Sequence, residues 1–236
     1  MRAVGEAPWR TSQSYDDGSH VARRRDHPKK KQFRASERDR PDVIAARQAF
    51  VAWLKTIALS KVIFIDETGC NVKMTPEYGW AVRGERLVDR RPACHGKNLT
   101  VVGAIREDRV LCHDKFEGAL NGDRWRQFVK KTLCPKIYPG DIVVVDNLRV
   151  HKDAEALALI RAEGAKVKFL PPYSPDLNPI ELCWAFLKHQ LRRLRERTIG
   201  GLRRGVWRGL MRVTGRHLRA WFRESCVNPQ RVQLTC

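Results

Sequence analysis

No apolar run in this 236-residue chain is long enough to cross a bilayer, which argues against a membrane-spanning helix. The N-terminal stretch MRAVGEAPWR lacks the apolar core of a signal peptide, so the expected compartment is the cytosol. There is no CxxC, and the seven cysteines (Cys70, Cys94, Cys112, Cys134, Cys183, Cys226 and Cys236) are odd in number and scattered. That excludes neither thiol chemistry nor burial, but it argues against a disulfide framework and against a zinc ribbon. Cys94-His95 and Cys112-His113 are adjacent pairs, which seldom converge on one ion, so reduced, mostly buried thiols are the expected state. Acidic residues are scarce beside basic ones, 26 against 46, for a formal charge of +20 and a pI near 10.2. Such a balance points to a polyanionic partner, because each phosphate neutralised by Lys or Arg releases a condensed counterion. Membrane surfaces and RNA are polyanions too, so charge alone does not select DNA.

What is present has a clear order along the chain. Residues 1 to about 41 carry RRR at 23–25 and KKK at 29–31 and few aliphatics, which predicts a basic, flexible arm. From Pro41, apolar residues recur at helical spacing and predict a helix from the low forties to about 58. KVIFID (61–66) reads as a short central strand ending in an acid. Strand-like pieces follow around 79–83, 98–105 and 109–116, then a helix over 122–133 with Asn121 or Asp123 as cap. DIVVVD (141–146) repeats the first pattern and is followed by a helix at about 152–163 and a strand at 166–170. The loop PPYSPDLNP leads into a long helix from about 179 to 196, and residues 198–223 read as one or two basic amphipathic helices with Trp207, Leu210, Leu218 and Trp221 facing inward. The alternation implies an α/β fold, a mixed sheet flanked by helices. The expected division is an arm to residue 41, a catalytic domain over 42–196 and a basic helical extension over 197–236.

Asp66 and Asp146 each close an apolar strand, and if the strands are neighbours the two carboxylates meet at one sheet edge, where open sheets bind ligands. A few acids from separate elements suffice for Mg²⁺, which prefers oxygen ligands and keeps several waters. Each acid also fits a turn-capping role, and Asp146-Asn147 is a good turn pair. Glu67 follows Asp66, but consecutive strand residues face opposite ways, so it ranks second. Asn178-Pro179-Ile180-Glu181 matches a helix start with Glu at the third position, a capping-box arrangement, and locally the cap reading is favoured for Glu181. Asp176 is a competing acid in the same loop.

Four segments together resemble the mariner-like superfamily of transposases, specifically its bacterial insertion sequence 630 branch. They are KKQFRASERDRPDV (31–44), FIDETGCNVKMTPEYGWAVRGER (64–86), VVVDNLRVHK (143–152) and LPPYSPDLNPIELCWAFLK (170–188). The resemblance runs from roughly Lys30 to the mid-190s, and the SPDLNPIE run is its most specific part. It implies an RNase H-like fold with Asp66, Asp146 and Glu181 as the catalytic, metal-binding acids, holding two Mg²⁺ ions for which Mn²⁺ can substitute. It also implies hydrolysis at transposon ends followed by attack of the freed 3′-hydroxyl on target DNA, usually at TA. His151 falls in the family's DNLxxHK segment, where it would contact a phosphate, orient the Asp146 loop or simply start a helix. Trp80 and Tyr78 are candidates for stacking on a base, though packing is the commoner role for such aromatics, and Arg83, Lys97, Lys152 and Lys188 are candidates for phosphate contacts, each explained equally well by a solvated basic face. Family members carry two helix-turn-helix modules ahead of the catalytic domain, and the residues before the KKQFRASE run show no two-helix pattern. The expected partners are therefore terminal inverted-repeat DNA and a TA-containing target, a second copy of the chain, and a separately encoded helix-turn-helix protein.

Overall fold

In the computed structural model, residues 35–227 are described; residues 1–34, most of the arm expected to residue 41, and the last nine residues lie outside them. Helix α1 (Pro41–Leu54) starts where Arg40 is extended and Pro41 takes the first helical position, where its missing N–H costs nothing. It ends four residues short of the expected limit. Strand β1 (Val62–Cys70) is fully apolar from Val62 to Ile65 and runs four residues past Asp66. Strands β2 (Leu99–Ile105) and β3 (Val110–Glu117) complete an antiparallel meander with it. Helix α2 (Gly122–Phe128) is capped by the Asn121 side chain, which accepts from Arg124 N–H at 3.0 Å, and continues into a wide turn over Val129–Leu133. Strand β4 (Ile142–Val145), helix α3 (Ala154–Ala162) and strand β5 (Lys166–Phe169) follow as expected, and Asp153 caps α3. Helices α4 (Pro179–Leu194), α5 (Ile199–Met211) and α6 (Gly215–Phe222) close the described chain.

The sheet order is β3-β2-β1-β4-β5, antiparallel on the β3 side of β1 and parallel on the β4 side. Alternation along β1 divides the apolar side chains between two layers. Phe64, Val101 and Val144 face α1, α4, α5 and α6, while Ile63, Val102 and Val143 face α2 and α3. Among the described residues, helices α5 and α6 are built into the first layer, with Leu202, Val206, Leu218 and Phe222 in the same cluster as the sheet. Phe222 meets Phe64 edge-on, with ring centroids 5.4 Å apart. Trp207, expected inward, is about half exposed. The inward face of α5 is instead a row of small residues: a Cβ at Gly209 would stand 2.6 Å from Leu187, and one at Gly205 2.9 Å from Leu191. That row lets α5 approach α4 closely and leaves no room for an indole.

Residues 79–83, expected as a strand, form none; the whole stretch 71–98 lacks helix and strand. Gly79, Gly84 with its positive φ, and nearby Pro76 interrupt the alternation before a ladder can form. Five of the six cysteines among the described residues are buried and all six are free; Cys94 is the exposed one. Among the described residues no helix is long and apolar enough to cross a membrane.

Candidate active site

The parallel register of β1 and β4 pairs Val62 with Ile142, Ile63 with Val143 and Phe64 with Val144. This constant offset of 80 carries Asp66 onto Asp146, two residues past the last bridge on each strand. Asp66 is therefore not at the end of its strand, as expected, but at the point where β1 loses its β4 neighbour while still paired to β2. The outcome is the one the strand-end reading required: both acids line one cavity of about 530 Å³ beyond the end of β4. Glu181 lines it too, from the first turn of α4, together with Asn147, Leu148, Tyr173 and Asn178.

What seats α4 over this point is a glycine. Gly103 of β2 lies directly across from Asp66, and a Cβ there would stand 2.7 Å from the Trp184 ring. Trp184 follows Glu181 by three residues, so the bare patch at Gly103 that admits the indole also sets the height of Glu181 above the sheet. The capping box expected at this helix start does not form. Asn178 makes no side-chain cap; its Nδ2 turns instead to Asp66 Oδ2 at 3.3 Å, while its backbone carbonyl accepts from Glu181 N–H at 3.1 Å. One residue thus touches two of the three acids. Its Oδ1 is buried without a partner. Asp176, the competing acid, is outside the cavity and occupied: Arg47 grips it with both terminal nitrogens at 3.0 and 2.7 Å, and Arg38 adds a third contact at 2.9 Å.

The electrostatics of the three acids differ. Asp66 is buried, accepts Glu67 N–H at 2.8 Å, and is pushed up to about 8 by burial and by the charges of Glu181, Glu67 and Asp146. Asp146 is held below the usual carboxylate range: burial opposes this, but bonds from His151 and from Leu148 N–H at 2.9 Å prevail. Glu181 is raised by desolvation of its carboxylate, and the charges of Asp146 and Glu67 add to this against the pull of Lys188. Three oxygen-donor side chains, one held ionised and two raised by burial and by their acidic neighbours, fit a hard divalent cation in chemistry and charge. Among the described residues no three such side chains are already drawn onto a single point as a finished cage.

His151 is not a phosphate contact. It is fully buried, with Nδ1 2.5 Å from Asp146 Oδ1, Nε2 3.4 Å from Glu67 Oε2, and its ring 4.5 Å from that of Trp125. Nδ1 is at hydrogen-bond distance from Asp146, whereas Nε2 faces Glu67 as an ion pair without a hydrogen bond. Burial pulls its pKa down, yet the two carboxylates outweigh this and raise it to about 9. Glu67 points away from the cavity, as strand alternation required. Lys152 and Lys188 flank the acids and bias their charge, Lys152 toward Asp146 and Lys188 toward Glu181. Trp80, almost fully exposed, lies with Tyr78, Arg83 and Lys97 in the 71–98 stretch, outside the cavity; Lys97 pairs with Glu117 at 3.3 Å. Sequence reasoning missed Gly103, Trp184, Arg38 and Arg47, whose partners are distant in the chain, and it read Asn178 only as a cap.

Residues 61–201, more than half of the chain, match the DDE superfamily endonuclease family. The chain belongs to that family. No curated protein matches it in sequence. Among solved structures, this DDE superfamily endonuclease is similar to the Mos1 transposase paired-end complex with left transposon end (15% identity, TM-score 0.74, covering 89% of this chain and 66% of that one). It is also similar to the Mos1 mariner paired end complex with Mg (15% identity, TM-score 0.72, covering 87% and 65%) and to the catalytic domain of Mos1 mariner transposase (14% identity, TM-score 0.61, covering 85% and 93%). The fold is the RNase H-like one expected, a mixed five-stranded sheet flanked by helices. The chain spans just under two thirds of the length of the Mos1 chains in the paired-end complexes, and nearly all of the Mos1 catalytic domain.

Proposed function

We propose that this chain is the cutting and joining domain of a transposase of the insertion sequence 630 branch. It hydrolyses DNA at transposon ends to free a 3′-hydroxyl and directs that hydroxyl onto a TA-containing target. The observation that carries the reading is the convergence of Asp66, Asp146 and Glu181, from three separate elements, on one cavity in a chain of charge +20. These acids would hold two Mg²⁺ ions, or Mn²⁺ in their place, which when bound supply Lewis acidity at the attacking and departing oxygens.

The protein's own contribution is presentation. Asn178 and the Glu67 N–H hold Asp66, and Leu148 N–H and His151 hold Asp146, so two carboxylates are oriented before substrate arrives. Pro171, Pro172 and Tyr173 line the cavity beside the acids, and Lys152 and Lys188, whose charges act on Asp146 and Glu181, are the proposed contacts to phosphate oxygens. Trp80, Arg83 and Lys97 are the further DNA contacts proposed, on the 71–98 stretch. Recognition of the terminal inverted repeats is assigned to a separately encoded helix-turn-helix protein, and pairing of two ends to a second copy of the chain. The site of action is the nucleoid.

A nicking assay on DNA carrying the element's terminal repeats tests this. Cleavage that requires Mg²⁺ or Mn²⁺ is expected, and Asp146→Asn or Glu181→Gln is expected to lower it by at least about a hundredfold, on the scale of losing an electrostatic stabiliser of a transition state. Metal-independent DNA binding without nicking, unchanged in both variants, would identify a silent DNA-binding remnant instead.

A further inference from the structure

Glu67 and Asp146 lie in different layers. Alternation along β1 sends Asp66 to the α4 side and Glu67 to the α2 and α3 side, beneath Trp125 and α3. Glu67 is part-buried there, with 22% of its side chain exposed, but its Oε2 is enclosed without a hydrogen-bond partner, and a single cationic side chain faces it. That side chain is His151, whose Nε2 is 3.4 Å from Glu67 Oε2 and whose Nδ1 is 2.5 Å from Asp146 Oδ1. The ring is completely enclosed, and Trp125 lies against it at 4.5 Å, so it has little freedom to turn away from either partner. The turn Arg149–Lys152, which carries His151, starts three residues after Asp146, and Leu148 N–H closes on the same Asp146 oxygen.

Resting on the three-acid reading above, we infer that Glu67 and His151 form a positioning pair for Asp146, a brace running through the end of the sheet from the α2–α3 layer to the cavity. Glu67 holds the imidazole, and the imidazole holds one oxygen of Asp146, which leaves the other oxygen turned to the cavity for a cation. Neither brace residue touches the metal or the DNA. Their effect is on the rotamer and basicity of a ligand, and loss of such outer partners typically weakens metal affinity or activity about 10- to 100-fold.

The test is Mn²⁺ binding by calorimetry on the full chain without DNA, with nicking kinetics alongside. Glu67→Gln is expected to weaken Mn²⁺ binding at least about tenfold and to lower kcat while leaving the KM for DNA unchanged. Glu67→Asp, which keeps the charge but withdraws it from Nε2, gives the same reading where the first variant does not fold. Leu133→Val loosens the same apolar layer away from Trp125 and the brace, and is expected to lower Tm with wild-type Mn²⁺ affinity. The pair is overturned if both Glu67 variants bind Mn²⁺ as wild type does, or if Leu133→Val weakens binding equally, because the role is then packing alone. Asp146→Asn separates the two levels. If it too leaves Mn²⁺ binding intact, the three-acid reading fails; if it abolishes binding while Glu67 does not matter, only the brace fails.

Discussion

Asp66 is a buried carboxylate with an ordinary value of 3.8 raised to about 8, first by burial and then by its acidic neighbours. A group raised in the folded state contributes stability below its unfolded pKa and loses that contribution as pH climbs toward the folded one. His151, raised from 6.5 to about 9, has the same sign, and its contribution fades as pH rises through that window. The metal-free protein is therefore expected to lose thermal stability steadily from about pH 4 to about pH 9. With Asp66 as a metal ligand, as proposed, Mg²⁺ would compete with its proton and is expected to raise Tm, and to raise it more near pH 8 than near pH 6. Scanning calorimetry across that range with and without Mg²⁺ reads both; a flat profile, or an equal Mg²⁺ effect at both pH values, contradicts the account of Asp66. Residue by residue, Asp66 and Asp146 were legible as a matched pair from their apolar runs, although β1 runs on past Asp66 and only its pairing to β4 ends there. Glu181 was not, since Asn-Pro-Ile-Glu satisfies helix-start rules by itself, and only the resemblance of the SPDLNPIE run singled it out. The structure explains the ambiguity: the Asn178 side chain that would cap the helix is drawn to Asp66 instead.

At the level of elements, the site depends on how α4 lies on the sheet. Gly103 is the contact point, and a methyl group there meets Trp184 at 2.7 Å with strand backbone on its other side. Gly103→Ala is expected to destabilise the fold by about 1–3 kcal/mol through overpacking and to weaken metal binding, because α4 carries Glu181 with it when it shifts. Combining it with Trp184→Phe, which shortens the ring, is expected to restore part of both losses. Urea unfolding with parallel Mn²⁺ titration checks this, and a double variant no better than the single one would place the strain elsewhere. The loop before α4 is tied in turn to the first helix through Arg47 on Asp176, and to the turn Ser36–Asp39 just before that helix through Arg38. No local pattern announces such a tie, since the partners are 138 and 129 residues apart. Strand and helix positions were readable from periodicity because they are local. The pairing of Gly103 with Trp184, the turning of Trp207 outward and the failure of 79–83 to make a strand were not, because each is decided by neighbours from elsewhere in the chain.

For the molecule as a whole, charge and architecture answer different questions. The excess of 46 basic over 26 acidic residues predicts a polyanionic partner but says nothing about where chemistry occurs. The sheet order does: parallel pairing of β1 with β4, and the seat of α4 across β2, bring three acids from residues 66, 146 and 181 to one cavity. The most direct measurement of the central claim is a crystal soaked in Mn²⁺ and measured at the manganese absorption edge. The account predicts anomalous density within coordinating distance of Asp66, Asp146 and Glu181, lost in Asp146→Asn crystals. Saturating Mn²⁺ that leaves this cavity empty, or that binds elsewhere while DNA nicking persists, would contradict it.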